Sequence, residues 1–84
     1  MKRTIIFYRT ESSKCPVEEF LDSLPGKVLH KTLAVFMTVE NQDFISAKFF
    51  KKLKNTNLWE IRIQYESSIY RYLCFQVHAA LIVL

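Results

Sequence analysis

From Trp59 onward, apolar and polar side chains alternate without a break through Leu58–Tyr65, LWEIRIQY. A period of two is the mark of a strand with one face buried and one open. Two polar residues follow, Glu66 and Ser67, and then a second run of strand formers, Ser68–Val77, SIYRYLCFQV. Two such runs separated by two residues predict a β-hairpin. Closing it on Glu66-Ser67 sets Tyr65 against Ser68, Gln64 against Ile69, Ile63 against Tyr70 and Arg62 against Arg71. Ile61 then meets Tyr72, Glu60 meets Leu73 and Trp59 meets Cys74. One face is aromatic and aliphatic throughout and belongs against the core. The other carries Glu60, Arg62, Gln64 and Arg71 and should be open. A change of one residue in the register would remove the Arg62–Arg71 pairing altogether.

The rest of the chain must cover the apolar face. Residues 2–10 predict a strand, because Ile5, Ile6, Phe7 and Tyr8 are β-branched or aromatic. Pro16 suits a first helical position, and Glu18 and Glu19 suit the positive end of a helix dipole. Val17, Phe20, Leu21 and Leu24 recur at helical spacing, with Cys15 as a poor N-cap. Pro25 should end this helix and open a second over 26–40. Val28, Leu29, Leu33, Phe36 and Met37 would form its apolar stripe, with Lys27, Lys31 and Glu40 in solvent. Residues 44–56 predict a loop or irregular turn whose aromatics tuck under the sheet. Residues 79–84 begin a further strand. The order predicts an α+β domain: an N-terminal strand, a two-helix hairpin, then an antiparallel three-stranded meander. All strands share one mixed sheet with the helices on one face.

The 84 residues suffice for one domain, 1–84, with one core. A hydrophobic content of 50% excludes a disordered chain. The net charge of +4 favours an acidic partner such as nucleic acid. Cys15 and Cys74 form no C-x-x-C pair, and His30 and His78 stand at no metal-ligand spacing to them. Two reduced thiols, no cofactor, no metal and a cytoplasmic location are expected. The only N-terminal apolar run, Ile5 to Tyr8, is too short for a signal peptide or a membrane span.

Two arginines facing each other repel at up to roughly 1 kcal/mol. An anion between them reverses that sign, and a guanidinium is the side chain best matched to phosphate. Alternatively, Glu60 neutralises the pair. The residues alone leave both readings open. Lys48, Lys51, Lys52 and Lys54 precede the arginine strand and read either as a solvated loop or as part of a phosphate-backbone surface. Neither a catalytic triad nor a Gly-rich phosphate loop is present in the sequence. His78 reads as a turn residue and Glu60 as an ion-pair partner.

Four stretches together resemble the RelE/ParE superfamily, and its phage-related, HigB-like toxins above all. They are Pro16-Val17-Glu18-Glu19-Phe20-Leu21 with Leu24-Pro25, then Phe50-Lys51-Lys52-Leu53-Lys54, Leu58-Trp59-Glu60-Ile61-Arg62 and Ile69-Tyr70-Arg71. The resemblance implies the toxin of a type II toxin–antitoxin system, cleaving mRNA on the ribosome by attack of the 2′-hydroxyl on the adjacent phosphate. It makes Arg62 and Arg71 the catalytic residues, and Lys51, Lys52, Lys54 and Gln64 the RNA-binding ones. It implies a cognate antitoxin of the helix-turn-helix DNA-binding kind, no membrane, and admits a homo-oligomer. Glu60 stands where some relatives carry a basic residue. Relatives also continue into a basic C-terminal segment, so the resemblance implies a C-terminally truncated domain with reduced activity. The alternative it leaves is a non-catalytic module that binds antitoxin or RNA. The gyrase-directed ParE branch shares the fold.

Overall fold

A computed structural model describes residues 3–84. Its elements are β1 (Thr4–Phe7), α1 (Pro16–Asp22), α2 (Gly26–Asn41), β2 (Phe50–Lys52), β3 (Leu58–Tyr65), β4 (Ser68–Val77) and β5 (Ala80–Val83). The five strands form one sheet in the order β1-β5-β4-β3-β2. β1 runs parallel to β5 and the other pairs are antiparallel, so the sheet is mixed. This is the α+β architecture the sequence predicts, with one extra strand.

The hairpin register matches the expectation pair for pair, from Trp59 opposite Cys74 to Tyr65 opposite Ser68. Glu66 takes a positive φ of 54°, which primed hairpin turns require at their first central position. His78 does the same at 55° in the turn between β4 and β5. Ile61, Ile63 and Cys74 have no exposed surface and Tyr72 has 4%. They pack with Leu81 and Val83 of β5 and with the inner faces of the helices. Phe36 of α2 makes edge-on ring contacts with Phe7, centroids 6.0 Å apart, and with Tyr72 at 5.1 Å.

Several local expectations are corrected. β1 spans only Thr4–Phe7, because it pairs with just four residues of β5; of the longer expected strand, Lys2 lies outside the described residues. Pro25 is the N-cap of α2 rather than its first residue, and its carbonyl accepts from Leu29 N–H at 2.9 Å. The buried stripe of α2 is Val28, Thr32, Val35, Phe36 and Val39, while Leu33 and Met37 face out. Thr32 can be buried because its hydroxyl donates to Val28 O at 2.9 Å.

Lys31 and Glu40 are tethers, not solvent-facing charges. Lys31 Nζ donates to Gln64 O. Glu40 Oε2 accepts from Ile5 N–H at 2.9 Å, which occupies the outer edge of β1. The adjacent Arg3 donates to Val39 O and Gln42 O, each at 2.8 Å, and so caps the C-terminal end of α2. The region read as a loop contains β2, paired in register with Trp59 to Ile61. Phe50 tucks beneath the sheet as expected and stacks on Trp59 at 4.7 Å, whereas Phe44 is 96% exposed. No helix among the described residues is long and apolar enough to cross a membrane.

Cys15 and Cys74 are both free and buried. Cys74 Sγ contacts Trp59 O at 3.4 Å. Burial first, and the charge of Glu60 second, push its thiol from 9.0 up to about 12. Below pH 9 the thiol is protonated in folded and unfolded chains alike, and its full contribution to stability is present. Between 9 and about 12 only the unfolded chain releases the proton, so stability falls as pH rises. Urea unfolding across that window should give a stability–pH slope steeper than that of Cys74→Ala by up to about 1.4 kcal/mol per pH unit. Equal slopes would contradict the burial of this thiol.

Candidate nucleic-acid interface

The open face of the sheet is built by the alternation that fills the core. Because Ile61, Ile63 and Tyr72 point inward, Glu60, Arg62 and Arg71 point outward. Arg62 and Arg71 are direct cross-strand partners. Lys51 of β2 lies opposite Glu60 from the other side and shares the same face.

Glu60 is the centre of this cluster. It is only 7% exposed although it lies on the outer face. Its Oε1 is 3.3 Å from Arg62 Nε, and its Oε2 is 3.8 Å from Arg71 Nε. One carboxylate thus spans both guanidiniums. Arg62 Nε is buried and, though ion-paired, makes no aligned hydrogen bond. Both contacts run through Nε. Among the described residues no hydrogen bond from the Nη ends of the two arginines is formed. Three cations, Lys51, Arg62 and Arg71, surround one carboxylate, which leaves the cluster with a formal charge of 3 − 1 = +2. The phosphate-clamp and neutralised-pair readings are therefore not exclusive. Glu60 holds the inner sides of the guanidiniums, and the outer sides keep their donors.

The residues singled out in the sequence are not all brought together. Arg62, Arg71, Lys51 and Gln64 share the open face. Lys52 pairs with Trp59 and so belongs to the opposite face. Lys54 lies in the turn before Leu58, where Asn55 takes a positive φ of 59°. At about 3.3 Å per residue, the start of β3 is about 13 Å from Arg62. Lys52 and Lys54 form a separate exposed basic surface around a shallow depression closed by Thr56 and Asn57. His30 is exposed on α2, and His78 is a turn residue. Neither belongs to the arginine cluster.

Sequence reasoning missed a pocket of about 440 Å³ beside Arg62, to which Lys31, Lys48, Phe49 and Gln64 contribute. It lies where β3 runs on past the short β2. Arg62 N–H donates to Phe49 O at 2.8 Å, which fixes Phe49 directly across from the arginine. The pairing of β2 is what creates it, and a three-residue strand gives no periodic signal.

Residues 19–84 match the model of the family described as phage derived protein Gp49-like (DUF891). The chain belongs to this family. The match begins within α1 and takes in α2, every strand of the meander, and both arginines. The Gp49-like family is related to the RelE/ParE-type toxins and is toxin-like within toxin–antitoxin systems. No curated protein and no solved structure was found to match the chain.

In this Gp49-like chain, replacing Glu60 by Gln should uncover the repulsion between the arginines. Glu60→Gln should cost about 1–3 kcal/mol in urea unfolding at low salt. Millimolar phosphate or sulfate should restore part of that loss. An unchanged stability, or a loss that added anion leaves untouched, would show that Glu60 does not hold the arginine pair.

Proposed function

We propose that this Gp49-like chain is the toxin of a type II toxin–antitoxin pair and an endoribonuclease of ribosome-bound mRNA. The observation that carries this reading is the facing pair Arg62 and Arg71, which Glu60 bridges through Nε on a positively charged sheet face. A phosphodiester laid across that face would meet two planar donor forks, with Lys51 beside them. The chemistry that fits is attack of the RNA's own 2′-hydroxyl on the adjacent phosphorus. The 2′-oxygen loses its proton and bonds to phosphorus, and the bond to the 5′-oxygen breaks. That oxygen gains a proton, leaving a 2′,3′-cyclic phosphate on one fragment and a 5′-hydroxyl on the other. The phosphoryl oxygens gain negative charge on the way, and preorganised arginines stabilise that charge more than they stabilise the ground state.

Gln64, on the same face, supplies an amide for the ribose or base. The proposed partners are mRNA on the ribosome and a cognate antitoxin that covers this face, of the helix-turn-helix DNA-binding kind, which sets the work in the cytoplasm. One observation favours a second reading, a module that binds RNA or antitoxin without cutting. Glu60 places a carboxylate where the scissile phosphate would gain charge, and it competes with that phosphate for the arginines.

Induced expression in bacterial cells separates these readings. The wild type should arrest growth and deplete full-length mRNA. Arg62→Ala and Arg71→Ala should each relieve arrest, with cleavage reduced by about 10²-fold or more for the loss of one charge-stabilising donor group. A double variant that remains folded by circular dichroism and arrests growth as the wild type does would contradict the proposal.

A further inference from the structure

The pocket beside Arg62 has a composition that a phosphate clamp does not explain. Its cations are Lys31, Lys48 and Arg62, but Phe49, Gln64, Glu66 and Ile69 also line it. Phe50, the next residue, is buried at 6% against the core, and Phe49 lines the pocket. Phe49 is half-buried and packs partly against the core. Its backbone is anchored twice, by its own N–H to Ser46 O at 2.9 Å and by its carbonyl to Arg62 N–H at 2.8 Å. Lys31 is fixed at the pocket by its bond to Gln64 O. Lys48 is exposed at the rim.

An aromatic and an aliphatic residue with an amide, a carboxylate and cations around them suit a nucleotide, which has an apolar face as well as donors and acceptors, better than a bare anion. Nucleobases present a π-face for stacking and polar edges for Gln64 and Glu66, and their 5′ or 3′ phosphate needs Lys48 and Arg62. The pocket's volume of about 440 Å³ accommodates one unpaired nucleotide. We infer that this pocket takes the base of a single-stranded ribonucleotide, stacked on Phe49, next to the phosphate held by Arg62. The inference rests on the RNA reading above and deepens it: it names a base-recognition site on the β2 side of the arginines. Phe49 is a binding residue here, and the base lodged on it sets which phosphate reaches Arg62 and Arg71.

The test uses a short fluorescent oligoribonucleotide, 2′-O-methylated so that it is not cut, and the same RNA with abasic sugars. Affinity is read by fluorescence anisotropy for the wild type, Phe49→Leu and Lys48→Gln. Leu keeps most of the volume that packs on the core but removes the aromatic face, and thermal unfolding checks that the variant is folded. Loss of one base stack should weaken binding of the intact RNA about five- to tenfold or more, and leave binding of the abasic RNA unchanged. Lys48→Gln, which touches no core residue, should weaken both RNAs alike. Phe49→Tyr should restore the difference between them. If the wild type binds both RNAs equally, or Phe49→Leu weakens neither, the base site is wrong while the RNA reading stands. If the wild type binds neither RNA, the RNA reading fails and the base site with it.

Discussion

A slip of one residue between β3 and β4 would turn one of the two strands over, carrying either Ile61 and Ile63 or Tyr72 and Cys74 into solvent and driving either Glu60 and Arg62 or Arg71 into the core. Ile61 and Ile63 alone would lose about 3–6 kcal/mol of burial, a large share of the roughly 5–15 kcal/mol that holds a domain together. The core therefore fixes the register, and the register fixes the outer face. Arg62 meets Arg71 because Ile61 and Ile63 on one side, and Tyr70 and Tyr72 on the other, must turn the opposite way. The two arginines are like charges at adjacent positions, held there by apolar burial on the other side of the same strands.

Glu60 makes that juxtaposition tolerable. Its carboxylate is almost completely covered, yet it stays on the outer face between two guanidiniums. A buried carboxylate without partners would be costly, and two facing arginines without a carboxylate would repel. Each offsets the other. The same arrangement sets the functional question. By engaging Nε of both arginines it orients their outer donors, and by carrying negative charge it opposes a phosphate. For the proposed function, the arrangement fits either a tuned phosphodiester site or a site in which binding outweighs catalysis. The pocket on the β2 side is the proposed complement to the arginines, a surface for a base.

The hairpin was legible because alternation and a two-residue turn leave one register that puts Ile61, Ile63, Tyr72 and Cys74 together on the buried face, although Ile69, Leu73 and Val77 stay exposed. α1 was legible for local reasons, Pro16 at its first position and two glutamates in its first turn. The buried face of α2 was not, because Leu33 and Met37 are more apolar than Thr32. The native face is chosen by the fit against β3 and β1, and Thr32 satisfies its own hydroxyl. β2 escaped notice because three residues, two of them lysines, carry no period. With it went the placement of Phe49, and the separation of Lys51 from Lys52 and Lys54. Lys31 is 33 residues from the carbonyl it binds, a contact no local pattern announces. Within the candidate site, the members on β3 and β4 and Lys51 of β2 were singled out in the sequence, and Lys31 of α2 and Phe49 beside β2 were not.

The claim at the centre of this account is that RNA is cut by its own 2′-hydroxyl across the facing arginines. The most direct measurement is cleavage of a defined mRNA on purified ribosomes, with the fragment ends identified chemically. The account predicts a 2′,3′-cyclic phosphate on the upstream fragment, a 5′-hydroxyl on the downstream one, and no cut where the attacking sugar is 2′-deoxy. An mRNA left intact by the folded protein, or one cut equally well at a 2′-deoxy sugar, would contradict it.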